Sequence, residues 1–258
     1  MTAPIAPSSG IPRESYRDVV SRLGSAQKKR ARGAPAYSVY INRPIGRRLA
    51  ALAFLAGLTP NGVSAVSAVF TFGAIVVIAI LPTALWTGVL IAALLVIGYA
   101  FDSADGQLAR LRGGGTASGE WLDHVLDSVK TSTLHLAVLI TAFLHFDLSD
   151  AAWYLVPLGF SAVAAISFFA SILNDQLRSR YRSKLTLGGS KESSLVRSLL
   201  GAPTDYGVLC LSFILIGWPL VFFTVYTLLF LANGAYLLMA SVKWFREMSD
   251  LGAERTKS

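Results

Sequence analysis

Residues 84–109 read ALWTGVLIAALLVIGYAFDSADGQLA. No charge occurs over 84–101, and then Asp102 and Asp105 enter the same apolar run. A bilayer core is about 30 Å thick and takes about 20 apolar residues of helix to cross. The stretch therefore reads as a membrane span with carboxylates towards one end. A charge inside hydrocarbon costs about 2.5–3.5 kcal/mol on insertion scales, so these acids need a reason to be there.

Working outward, five further stretches have the same character: 61–81, 118–146, 151–173, 206–219 and 220–241. The fifth in chain order, 206–219, is short for a crossing, and Gly217-Trp218-Pro219 breaks it from the sixth. Composition agrees. The 258 residues are 53% hydrophobic and only 15% charged, yet the net charge is +8, whereas an average soluble domain is about a quarter charged. One cysteine, Cys210, excludes a disulfide framework and a cysteine zinc cluster. Residues 1–36 hold Pro4, Pro7, Pro12 and Pro35 with many cations and no apolar signal-peptide core; they read as a basic, largely disordered tail with one short helix over 16–23. Over 40–58, Arg43, Arg47 and Arg48 alternate with Ile45, Leu49, Leu52 and Leu55, the pattern of an amphipathic helix lying in the membrane interface. Thr59-Pro60-Asn61 then starts a new helix. The expected fold is an all-α integral membrane protein: six transmembrane helices after a juxtamembrane helix, with a membrane domain over 37–248 and a tail over 249–258.

The cations settle the expected orientation. Ten lie before the first span, two at Arg110 and Arg112, six between 178 and 197, and four near the C-terminus. The alternate loops around 82–84, 147–150 and 217–219 hold none, and the remaining one is Lys130. The positive-inside rule puts both termini in the cytoplasm. It also gives the basic charge to topology and anionic headgroups rather than to nucleic acid.

The acids sort by helical geometry. Asp102 and Asp105 share a face at i, i+3, and Asp123 and Asp127 share a face of the next span at i, i+4. At 1.5 Å per residue both pairs reach similar depth near the cytoplasmic boundary. Four ionised carboxylates in one volume repel and need a cation. Oxygen-only ligands select Mg²⁺, Mn²⁺ or Ca²⁺ over zinc, and two ions would clamp a phosphate. A divalent-cation transporter is the rival from another class, but it would place polar residues deep in several spans, and the first, fourth and sixth are nearly free of charge.

The run Asp102-Ser103-Ala104-Asp105-Gly106-Gln107-Leu108-Ala109-Arg110, with Gly119, Asp123 and Asp127 following, resembles the signature of the CDP-alcohol phosphotransferase (phosphatidyltransferase) family, D-x2-D-G-x2-A-R-x8-G-x3-D-x3-D. All eight fixed positions match, a coincidence on the order of 10⁻¹⁰ per starting point. The resemblance implies transfer of a substituted phosphate from a CDP-linked donor (CDP-diacylglycerol or a CDP-polyol) to an alcohol, with release of CMP. It implies that Asp102, Asp105, Asp123 and Asp127 hold Mg²⁺ or Mn²⁺, two ions, and that Asp127 is the catalytic base. Asp105, Gly106, Ala109, Arg110 and Gly119 would form the nucleotide site. A homodimer in a bacterial plasma membrane, with the site facing the cytoplasm, is also implied.

The acceptor is less marked. Arg178, Arg182, Lys191 and Arg197 between the fourth and fifth spans are candidate contacts for a phosphorylated polyol. An inositol-phosphate-specific enzyme of the same family is the alternative. Members of that kind resemble one another in an Arg-rich pattern after the fourth span, and Asn174-Asp175-Gln176-Leu177-Arg178 departs from it. His124 is expected to pack, pointing about 100° away from Asp123 on the helix; His135 to satisfy a local hydrogen bond; Lys130 to pair with Asp127; and Asp205 to cap a helix.

Overall fold

The computed structural model describes residues 14–25, 35–181 and 204–256, and among these no strand occurs. α1 (Tyr16–Ser25) covers the short helix expected over 16–23. A π turn (Ser38–Asn42) leads into α2 (Arg43–Leu55), and α3 (Pro60–Ile80), α4 (Leu85–Leu111) and α5 (Ala117–His145) follow. A 3-10 turn (Ala151–Tyr154) opens α6 (Leu155–Tyr181). α7 (Tyr206–Ser212) tightens into 3-10 over Phe213–Gly217, and α8 (Pro219–Thr256) closes the chain. Five helical segments are long and apolar enough to cross a membrane: Pro60–Ile80, Leu85–Leu111, Ala117–His145, Ala151–Tyr181 and Pro219–Asp250. The remaining expected span, Tyr206–Gly217, is a shorter apolar helix, with a rise of roughly 20 Å.

Local chemistry explains the boundaries. Thr59 caps α3, its hydroxyl accepting from the Gly62 N–H at 3.1 Å, with Pro60 at the first helical position. Thr116 caps α5 in the same way through Gly119 at 3.1 Å. Between α4 and α5 the chain reverses through Gly113 and Gly114 at φ +98° and +126°, where a side chain would be strained. The Gly114 N–H closes the end of α4 by donating to Ala109 O at 3.0 Å. Asp205 caps two helices at once. Its carboxylate accepts from Gly207 N at 3.1 Å, and from Tyr37 N at 2.8 Å and Ser38 N at 3.3 Å at the entry to α2.

Apolar packing falls into two clusters. The larger joins α3, α4 and α5 to α6, α7 and α8 through Ile78, Leu95, Val138, Phe160, Phe213 and Tyr226. The smaller seats α1 and α2 on the other end of α4, with Val19, Leu23, Ala50, Ala53, Ala104 and Leu108 buried. α2 approaches α4 closely because position 46 is glycine: a Cβ there would lie 2.7 Å from Ser103 Oγ. Ile41 on the π turn and Ile45, Leu52 and Leu55 on α2 remain exposed. Trp86, Trp153 and Trp218 are exposed near helix ends, as expected of an interfacial aromatic belt. Along α4, Asp102 falls between Leu95 of the larger cluster and Ala104 of the smaller.

Candidate active site

α4 carries Asp102 and Asp105 on one face, α5 carries Asp123 and Asp127, and α3 packs against both helices. Asp102, Asp123 and Asp127 each offer a carboxylate oxygen within 4.8 Å of the others. Asp105 is held apart from this trio. It is 5% exposed, and its Oδ2 accepts from the Ser64 hydroxyl of α3 at 2.6 Å. Lys130 reaches back one turn to pair with Asp127 and lies 3.4 Å from Asp102 Oδ1. The pairing expected of it is therefore present, with a second carboxylate that sequence spacing did not suggest.

The trio provides only oxygen ligands, a donor set that fits a hard divalent cation such as Mg²⁺ or Mn²⁺ rather than zinc.

Two cavities meet at these side chains. The larger, about 550 Å³, is lined by Asp105, Gly106, Ala109, Arg110, Gly119 and Asp123, with Thr59, Asn61, Ser64 and the glycine turn completing it. Every residue expected at the nucleotide site faces this one space. A Cβ at Gly119 would meet Asn61 Oδ1 at 3.0 Å, whereas one at Gly106 would meet only Arg110 Nη1, at an ordinary contact distance of 3.4 Å. The smaller, about 240 Å³, is lined by Arg43, Asp102, Ser103, Gln107 and Asp127, and it shares Asp105, Gly106, Arg110 and Asp123 with the first. Asp127 lines the smaller cavity and not the larger. Arg43 and Gln107 were not identified as site residues from sequence. Gln107 donates to Arg43 O at 3.1 Å across 64 residues, a contact without a local signal.

Arg178 lies elsewhere. Its guanidinium makes a bidentate pair with Glu247 of α8 at 2.8 Å and contacts Asp175 at 3.1 Å. Arg182, Lys191 and Arg197 fall outside the described residues. His124 stands edge-on to Phe168 of α6 at 6.5 Å between ring centroids, but it does not turn away from its neighbour as expected: its Nδ1 lies 3.9 Å from Asp123 Oδ2 and its Nε2 3.8 Å from Glu120 Oε1. His135 shares a 2.7 Å hydrogen bond with Tyr226 and stacks on Phe160.

A family model described as CDP-alcohol phosphatidyltransferase matches residues 57–245, from the end of α2 into α8. A comparison with curated proteins returns no match. The match spans well over half of the chain and includes all four aspartates and every residue lining the larger cavity, and the chain accordingly belongs to the CDP-alcohol phosphatidyltransferase family, a family of phosphotransferases.

Proposed function

We propose that the protein is a metal-dependent phosphotransferase that moves a substituted phosphate from a CDP-linked donor to an alcohol and releases CMP. One observation carries the reading: two cavities share a wall of Asp105, Gly106, Arg110 and Asp123, and Asp127 faces only one of them. The larger cavity is assigned to the donor. Gly106, Ala109 and Gly119 keep side chains out of its volume, and Arg110 offers a planar guanidinium to the diphosphate. The smaller is assigned to the acceptor, where Asp127 takes the hydroxyl proton. The acceptor oxygen forms a bond to the phosphorus nearest the transferred group. The bridging P–O bond breaks, and its electrons leave on CMP. Asp102, Asp123 and Asp127, with Asp105 beside them, would hold Mg²⁺ or Mn²⁺, two ions, which supply charge neutralisation for the leaving phosphate.

Arg43 and Arg110 on the acceptor side favour an anionic alcohol, and Arg182, Lys191 and Arg197, between α6 and α7 in the sequence, are a second source of cations for it. The donor would be CDP-diacylglycerol or a CDP-polyol; an inositol-phosphate acceptor remains the narrower version of the same reading. We also assign six crossings, with α7 as the short one, both termini and the site on the cytoplasmic side of a bacterial plasma membrane, and the π turn and α2 lying in the interface on Ile41, Ile45, Leu52 and Leu55. A homodimer would cover part of α6, the least buried of the long helices.

The test is CMP release by the purified chain with Mg²⁺ or Mn²⁺, CDP-linked donors and a panel of alcohols. The wild type should release CMP with at least one pair, and Asp127→Asn should lose about 10³-fold while still binding nucleotide. A silent panel, or a fully active Asp127→Asn, overturns the assignment.

A further inference from the structure

Lys130 is out of keeping with a site built to hold cations. Its side chain is 12% exposed, and it is paired with Asp127 and 3.4 Å from Asp102, two of the three carboxylates that come within 4.8 Å of one another. Its ammonium also lies 5.4 Å from the centre of the Tyr206 ring, on α7. A space of about 10 Å³ beneath the carboxylates is lined by Lys130 together with Ser67, Thr71, Asp102 and Asp127. That is room for about one water molecule.

We propose that Lys130 is the resident counter-cation of the carboxylate cluster: it binds Asp102 and Asp127 when no divalent ion does, and it withdraws towards the face of Tyr206 when one arrives. The inference rests on the metal-site reading above. Three carboxylates this close repel one another unless a positive charge stands beside them, and Lys130 is the cation in contact with two of them. A lysine suits the task. Its ammonium is a compact charge on a flexible four-carbon stem, and an aromatic face is a favourable resting place for it. Lys130 is thus a positioning residue. It keeps Asp102 and Asp127 in register across two helices, and its charge competes with the metal for the same oxygens.

Mn²⁺ binding and thermal unfolding of the full chain in detergent micelles test this, comparing wild type with Lys130→Met. The variant should unfold at lower temperature in chelator, Mn²⁺ should close most of that gap, and the half-saturating Mn²⁺ concentration should fall by about tenfold or more. A lysine that merely braces the fold would give an equal loss with and without Mn²⁺ and unchanged half-saturation, which overturns the proposal. A measurement on the wild type needs no variant. With ε-¹³C-labelled lysine, Mg²⁺ should shift the lysine resonance that is shielded from an aqueous relaxation agent, and a resonance that stays in place at saturating Mg²⁺ overturns the proposal. A wild-type chain that binds no Mn²⁺ overturns the metal site itself and this inference with it.

Discussion

On α5, Lys130 and His135 lie five residues apart, about 7.5 Å along the axis, and the helix treats them differently. His135 is 2% exposed. It meets the Tyr226 hydroxyl at 2.7 Å and lies flat against Phe160, with ring centroids 3.9 Å apart. Around it are Leu134, Val138 and Phe213, so that polar pair is enclosed by apolar side chains. Lys130, one and a half turns nearer the start of α5, faces carboxylates that outnumber it and cavities that open beside them. Polarity in a sealed core is balanced internally and adds to stability. Polarity at a site keeps an unmet demand, and a ligand supplies what is missing. The two halves of α5 should therefore fail in opposite ways when altered.

The largest effect should come from the site half. Asp123→Asn replaces one of three clustered carboxylates with a neutral amide, and charge stabilisation of several kcal/mol corresponds to a loss of about 10³-fold in CMP release. Unfolding temperature in chelator should hold or rise, because one of several repelling carboxylates is gone. Calorimetry beside the activity assay would show this, and a large drop in unfolding temperature would blur the contrast. At the sealed half, Tyr226→Phe leaves His135 without its partner and should cost about 1–3 kcal/mol of stability. CMP release per folded molecule should be unchanged. If activity fell with stability held, the inner half would belong to the site and the contrast would break.

Between these extremes lies the cavity wall. Gly106→Ala places a methyl group in ordinary van der Waals contact with Arg110 Nη1, at 3.4 Å, on the cavity wall. The fold has nothing to lose there, but the donor cavity becomes smaller. The KM for the CDP-linked donor should rise about tenfold, roughly 1.4 kcal/mol, with little change in unfolding temperature. A variant with unchanged KM would remove Gly106 from the donor site.

The same contrast explains what was legible in the sequence. Span positions followed from length and hydropathy, and the carboxylate faces from i, i+3 and i, i+4 spacing, because both are local properties of a helix. Partners from other helices were not legible. Ser64 meets Asp105 from 41 residues away, Lys130 meets Asp102 from 28, and Arg178 meets Glu247 from 69. Reading Arg178 only as a loop cation missed the carboxylate opposite it. α7 was hard to bound for a related reason. Its 3-10 half lies backbone against α4, where a Cβ at Gly88 would stand 2.7 Å from Phe213 O. That close approach depends on a glycine more than a hundred residues earlier in the chain, and hydropathy does not register it.

The smallest effect should separate placing a site from stabilising a fold. Thr116 caps α5 through the Gly119 N–H, at the end of the helix that carries Asp123 and Asp127. Losing such a cap costs about 1 kcal/mol, and the first turn of α5 would fray. Gly119 lines the donor cavity and Asp123 begins one turn later, so the fraying falls on the site. Thr116→Val should thus lower unfolding temperature only slightly while reducing kcat/KM by several-fold. Thr116→Ser, which keeps the accepting oxygen, should restore both. Thr59→Val removes the matching cap of α3, where Gly62 receives the bond, and should cost similar stability. Thr59, Asn61 and Ser64 of this end line the donor cavity, but α3 carries none of the clustered aspartates, so the loss in kcat/KM should be smaller than for Thr116→Val. Equal kinetic losses in the two variants would mean that cap strength, and not the position of α5, sets the geometry of the aspartates.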